Sequence, residues 1–188
     1  MSDYVGRVLK KRYKLGQMLG SGSYGTVFQA VDLKAPPEDN ERAIKIIMKT
    51  AREAPSHVAF RREITLHKRA SKHPNVVTLH DAYEDRKHFV FVMDHCRGGD
   101  LGHYLEHSGP YIDGNKLRAA FLQLVNAVHA LHAQGIYHRD LKPHNILVSE
   151  DGSELFIADF GLSSTRNEYT YYCGTAAYMP PGALPIHS

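Results

Sequence analysis

Cysteine is scarce. Cys96 and Cys173 are the only two in 188 residues, and they stand far apart. No disulfide framework is expected from them. Free thiols in a reducing compartment, cytoplasmic or nuclear, are the default. Long apolar runs are missing too. The most apolar stretch, 117–136, is broken by Arg118, Gln123, Asn126 and two histidines, so no membrane span and no membrane partner are expected. The opening M-S-D-Y has neither the basic start nor the apolar core of a secretory signal. Charge of one sign is also in short supply, with 23 basic against 20 acidic residues for a net +3. Basic residues cluster only at 10–12 and 61–62, which reads as solvated surface. A nucleic-acid binder would carry a basic stripe, so no such partner is expected. With 43% apolar and 23% charged residues the chain has the composition of a soluble globular protein, one domain or two small lobes.

What is present in the first half reads as a small sheet with one helix. Residues 12–19 and 26–33 have strand character and flank G-S-G-S-Y-G at 20–25. A G-x-G-x-x-G can open a dinucleotide-binding helix. Here T-V-F-Q-A-V follows, which favours a strand, and the G-K-[ST] ending of a P-loop is missing. The segment therefore reads as a β-hairpin lid whose glycines let the backbone approach phosphates closely, with a plain glycine-serine turn as the alternative. Residues 42–47, R-A-I-K-I-I, form a third strand with Ala43, Lys45 and Ile47 on one face. An ammonium between two apolar neighbours requires an anionic partner. A helix over 56–71 would carry Phe60, Glu63 and His67 on one face. Strands over 76–79 and 88–93, separated by the charged turn 84–87, complete a set of five. D-H-C-R-G-G at 94–99 reads as a hinge.

The second half reads as helical, then catalytic. A short helix is predicted over 100–106. A longer one is predicted from the capping Asp113 to about Gln134, stopped by Gly135. Leu117, Phe121, Leu124, Val125, Val128 and Leu131 make its apolar face. Then comes I-Y-H-R-D-L-K-P-H-N-I-L-V at 136–148, with D-F-G at 159–161. This concentrates the groups that phosphoryl transfer needs. Asp140 can take a proton from an attacking hydroxyl, Lys142 can neutralise a moving phosphoryl group, and Asn145 and Asp159 are hard oxygen ligands for magnesium. The thirteen histidines also produce H-x-x-E-H at 103–107, which reads as a chance match among surface histidines rather than a zinc site.

These motifs together resemble the eukaryotic protein kinase family, serine/threonine type. The resemblance implies an α+β, protein-kinase-like fold. It has an N-lobe over 1–93 (a five-stranded antiparallel sheet plus one helix), a hinge over 94–99 and a partial, mainly helical C-lobe over 100–188. It implies transfer of the ATP γ-phosphate to a Ser/Thr-bearing protein substrate, with Mg2+. The nucleotide would meet Leu19, Gly20, Ser21, Gly22, Ser23, Tyr24, Gly25 and Val27 of the lid. Beyond the lid it would meet Ala43, Lys45, Met93, Asp94, Cys96 and Leu147. Lys45, held by Glu63, would pair the α- and β-phosphates. Asp140 and Lys142 would act at the transfer itself, with Asn145 and Asp159 on the metal. Lys142 and Thr175 match serine/threonine rather than tyrosine kinases. Arg139 suggests an activation segment ordered by phosphate, with Ser163, Ser164, Thr165, Thr170 or Tyr171 as acceptor.

Three departures stand out. His67 occupies a position where the family places an apolar residue, which implies a softer or pH-sensitive contact. Gly182 replaces the glutamate of the Ala-Pro-Glu motif. The chain then stops before the helices that complete the family's large lobe. These point to a truncated form whose longer helix lacks a packing partner, hence to a chain that is marginal, aggregation-prone or dependent on a stabilising partner. The alternative is a catalytically impaired nucleotide-binding or interaction module.

Overall fold

The computed structural model describes residues 4–22, 25–50, 54–109, 113–165 and 173–179. Ser23, Tyr24, Thr170, Tyr171 and Gly182 lie outside them. The chain divides into two compact units, Met1–Ile64 with Thr78–His95, and Thr65–Val77 with Cys96–Ser188.

The first unit is an antiparallel sheet of six strands in the order β1-β2-β3-β4-β6-β5. They are β1 (Val8–Leu9), β2 (Tyr13–Gly22), β3 (Gly25–Asp32), β4 (Glu41–Met48), β5 (Leu79–Glu84) and β6 (His88–Asp94). Four of the five strands expected from sequence are there, the remaining one is displaced to Leu79–Glu84, and the two-residue β1 adds an edge. β6 lies between β4 and β5 and is apolar on both faces, and strand alternation divides its side chains. Val90 and Val92 join Tyr13, Leu15, Phe28, Ala30, Ile44 and Ile46 on one face, where Tyr4, Leu9 and Tyr83 pack over them. Phe89 and Phe91 face the other way with Ile47 and Leu79, against Phe60 of helix α1 (His57–Ala70). The Phe60 ring lies 4.4 Å from that of Phe89 and meets Phe91 edge-on at 5.1 Å. Burying a phenylalanine there contributes roughly 2–3 kcal/mol.

The fifth strand differs from expectation. Val76 and Val77 are buried, as a strand would have them, yet Val76 makes only an isolated parallel bridge to Ile157. The ladder begins at Leu79 instead.

The second unit holds α2 (Leu101–Ser108), α3 (Gly114–Ala133), and the short pair β7 (Ile146–Val148) and β8 (Leu155–Ile157). Both helices start on aspartate caps: Asp100 accepts from the His103 N–H and Asp113 from the Asn115 N–H. Gly135 follows α3 at φ +69, the left-handed conformation that ends helices. Of α3, only Ala120, Ala127 and Leu131 are buried. Ala127 and Leu131 pack with Leu66, Ala70, Ile136, Ile157 and Phe160. Gln123 fixes the helix to β8. Its Nε2 donates to Ser153 O, and its Oε1 accepts from the Leu155 N–H and the Asn75 amide. Leu124 and Val128 of the expected apolar face are half-buried against the same cluster, while Leu117 is 53%, Phe121 64% and Val125 43% exposed.

Candidate active site

The loop after α3 is built on a buried histidine. Ile136 and His138 are buried. His138 Nε2 lies 2.8 Å from Ala158 O, and its Nδ1 faces the Asp140 N–H at 3.3 Å. A carbonyl needs a donor and an N–H needs an acceptor, so these partners select the neutral Nε2–H tautomer. Burial pushes the His138 pKa down and keeps it neutral, against the opposing pull of Ala158 O and the nearby carboxylates. Arg139 takes φ +71, a left-handed backbone that presents Asp140 on the next residue.

Both oxygens of Asp140 are fixed. Oδ1 accepts from the Thr175 N–H and from the Thr175 hydroxyl, each at 2.8 Å. Oδ2 accepts from Asn145 Nδ2 at 2.9 Å and pairs with Lys142 Nζ at 3.0 Å. Lys142 Nζ also donates to Thr175 Oγ1 at 2.7 Å. Burial pushes the Asp140 carboxyl up, but the bonds from Lys142, Thr175 and Asn145 outweigh it. The group therefore sits below the usual carboxylate range. It is an ionised carboxylate held on both oxygens.

Asn145 is buried at the end of a 3-10 turn, Pro143–Asn145. Its Nδ2 faces two Asp140 oxygens, O at 2.8 Å and Oδ2 at 2.9 Å. That orients the amide and leaves its oxygen as the hard acceptor. Asp159 follows β8 at φ +62, with its Oδ1 near the Gly161 N–H at 3.4 Å. Phe160 beside it is fully buried. It stacks on His67 at 4.6 Å and meets His138 edge-on at 5.1 Å. His67 is a core residue: it is 1% exposed, and its Nε2 lies 2.8 Å from Val77 O.

The nucleotide-side residues lie in the first unit, apart from Cys96 and Leu147 in the second. In the hairpin, Gly20 pairs with Val27, Ser21 with Thr26 and Gly22 with Gly25. Gly25 must be glycine: its φ is +111, and a Cβ would stand 2.6 Å from Ile46 O. Cβ atoms on Gly20 and Gly22 would meet open space, and Leu19 is exposed. In the ladders Val27 pairs with Lys45 and Ala43 with Met93, so these side chains follow from strand register. Lys45 is half-buried, its Nζ 5.9 Å from the Phe91 ring centre. Glu63 on α1 is only 6% exposed, a burial that a carboxylate sustains only with polar or cationic partners. Met93, Asp94, Cys96 and Leu147 are half-buried.

At the exit of β6, burial raises the Asp94 pKa, but hydrogen bonds from His80 and Thr78 overcome it and hold the carboxyl low.

One expectation needs correction. Ser163 has 0% exposure and its hydroxyl donates to His138 O at 3.3 Å, so it is a packing residue rather than an accessible phosphate acceptor. Thr165 is exposed. The sequence marked Thr175 as a specificity signal but missed its grip on Asp140, thirty-five residues away. The histidines at 103–107 are committed locally: His103 Nδ1 pairs with Asp100 at 2.8 Å and His107 Nδ1 with His103 O at 2.8 Å. Among the described residues, no group of three or more His, Cys, Asp or Glu side chains is placed to hold a metal ion. Two hard ligands, Asn145 and Asp159, fit a magnesium that keeps waters and substrate phosphates, rather than an all-protein cage.

An aspartate held by a lysine and an asparagine, a D-F-G aspartate after β8, and an antiparallel sheet carrying a glycine hairpin together define a kinase-type phosphotransferase scaffold. The protein kinase domain model matches residues 13–188, and the chain belongs to that family. It is 39% identical to CBL-interacting protein kinase 20 of Oryza sativa subsp. japonica, over 94% of this chain and 40% of that protein. It is 36% identical to CBL-interacting serine/threonine-protein kinase 20 of Arabidopsis thaliana, over 97% and 42%. It is also 36% identical to the negative regulator of sexual conjugation and meiosis of Schizosaccharomyces pombe, over 94% and 37%. The chain thus spans about two fifths of the length of these relatives.

Proposed function

We propose that this chain carries the phosphoryl-transfer machinery of a serine/threonine protein kinase, using ATP and Mg2+ on a protein hydroxyl. The observation that carries the reading is the Asp140 cluster. Asp140 is held ionised and immobile by Thr175, Lys142 and Asn145, as a base for a substrate hydroxyl must be. Asp140 would orient the incoming hydroxyl and receive its proton. Lys142, 3.0 Å from Asp140, would offset charge on the transferring group. Asn145 and Asp159 would hold Mg2+, which supplies charge neutralisation at the phosphates. Lys45, with Glu63 as its partner, would pair the α- and β-phosphates, and the hairpin 20–25, including Ser23 and Tyr24, would cover them. Asp94 and Cys96 would offer backbone groups to the adenine edge. The roles of Leu19, Val27, Ala43, Met93 and Leu147 as the apolar walls around the base follow from the same reading.

Transfer of labelled γ-phosphate from ATP to a generic basic protein is the test, with Asp159→Asn as the control. Incorporation by the wild type and loss of about three orders of magnitude in the control are expected, in line with removal of a transition-state charge stabiliser. ATP binding without transfer would refute it in favour of a binding module. The exposed apolar residues of α3 are the observation that favours that second reading.

A further inference from the structure

The hinge residue Asp94 is held by a side chain that no motif marks. In the β5–β6 ladder Leu79 pairs with Met93, but Asp81 pairs with Val92. β5 advances two residues while β6 advances one, so His80 is the extra residue. Such a bulge turns a side chain away from the alternation of its strand. Here it carries His80 Nε2 to Asp94 Oδ1 at 2.5 Å. The second carboxylate oxygen accepts the Thr78 N–H at 2.9 Å, and the Asp94 N–H returns to Thr78 O at 3.2 Å. Asp94 is thereby tied through its backbone and both side-chain oxygens to the two residues Thr78 and His80. Across its other edge it pairs with Arg42. A carboxylate at the last position of an interior strand, pinned on both oxygens, fixes the direction in which the chain leaves the sheet.

We propose that His80 is a positioning residue for the purine edge of the nucleotide. By clamping the Asp94 carboxylate it holds the exit of β6 in the one backbone direction that presents peptide groups to the base. His80 does not touch the reacting atoms, so its loss acts on the base end of the ligand and not on transfer. This rests on the kinase reading above. It goes further by assigning affinity for the base to a side chain on β5 and to the one-residue shift that aims it.

The test uses the full chain and three variants, His80→Ala, His80→Gln and Asp94→Asn. Calorimetric binding of adenosine is measured beside KM for ATP and kcat. The His80–Asp94 bond is charge-assisted but partly open to solvent, so the loss expected in His80→Ala is about fivefold to tenfold. It should appear equally in the adenosine Kd and the ATP KM, with kcat within about twofold, because the shared part of the two ligands is the base. His80→Gln keeps an N–H donor and should recover most of the affinity. Asp94→Asn keeps the backbone and one of the two acceptor oxygens but lacks the charge, and should fall between. Unchanged adenosine affinity in His80→Ala would overturn the proposal, as would a loss of kcat without a loss of affinity. Failure of the wild type to bind either ATP or adenosine would instead sink the kinase reading itself.

Discussion

Replacing Thr175 by valine removes one hydroxyl and almost no volume. That hydroxyl donates to Asp140 Oδ1 at 2.8 Å and accepts from Lys142 Nζ at 2.7 Å. A hydrogen bond to a charged group contributes about 1.5–3 kcal/mol. The Asp140 and Lys142 side chains are 11% and 19% exposed, so water can replace little of what is lost. Asp140 nevertheless keeps the Thr175 N–H, Asn145 and Lys142, which places the effect in the lower part of that range. At about 1.5–2 kcal/mol, kcat should fall roughly tenfold to thirtyfold. KM for ATP should hold, since the hydroxyl faces the base and not the nucleotide side. Thr175→Ser should be close to wild type. The pH profile gives an independent reading. Asp140 must be ionised to act, and its pKa is lowered in the folded protein, so the acid limb lies below the ordinary carboxylate range. Losing one of the donors that holds it down should move that limb upward. Steady-state phosphorylation of a protein substrate across pH would measure both effects. Full activity in Thr175→Val with an unmoved acid limb would refute the assignment of Asp140 as a base held by Thr175.

Three further outcomes follow from the same geometry. Arg12 donates to both oxygens of the buried Asp32, at 2.8 and 2.6 Å, and keeps its carboxyl below the usual range, with the bond to Arg12 as the first cause. Arg12→Ala should cost about 2 kcal/mol in denaturant unfolding, less than a fully buried pair because the Arg12 side chain is 40% exposed. A carboxyl depressed by folding stabilises above its unfolded pKa and loses that contribution as pH falls through the folded one. The wild type should therefore weaken below about pH 4 more steeply than Arg12→Ala. Gly25→Ala places a Cβ 2.6 Å from Ile46 O at φ +111 and should destabilise by about 2–3 kcal/mol, measured by thermal melting; an unchanged Tm would contradict the hairpin geometry. Phe121 lines an apolar groove of about 550 Å³ with Leu124, Val125, Val128, Leu141 and Tyr178 and is 64% exposed. Phe121→Gln should reduce self-association in sedimentation while shifting stability by less than about 0.5 kcal/mol, and a large loss of stability would show that the ring is packed in solution.

Which parts of this protein could be read from its sequence depends on the distance over which each constraint acts. Asp140, Lys142 and Asn145 lie within six residues, so the chemistry of the loop is a local pattern and was legible at once. The start of α3 was legible for the same reason, because its capping aspartate bonds an N–H two residues on. The fifth strand was misplaced because burial and pairing are different quantities. Val76 and Val77 carry the apolar signature of a strand but are buried without joining the β5–β6 ladder. Leu79–Glu84, with His80, Asp81 and Glu84, looks polar yet supplies that ladder. The contacts that set the site could not be read at all. Thr175 reaches Asp140 across thirty-five residues. His80 reaches Asp94 only because the register slips by one, and register belongs to a pair of strands rather than to either sequence. The motif therefore names the atoms that react, while residues outside it decide how firmly those atoms are held. A variant at Thr175 or His80 would look silent in a motif search and should be visible in kcat or in KM.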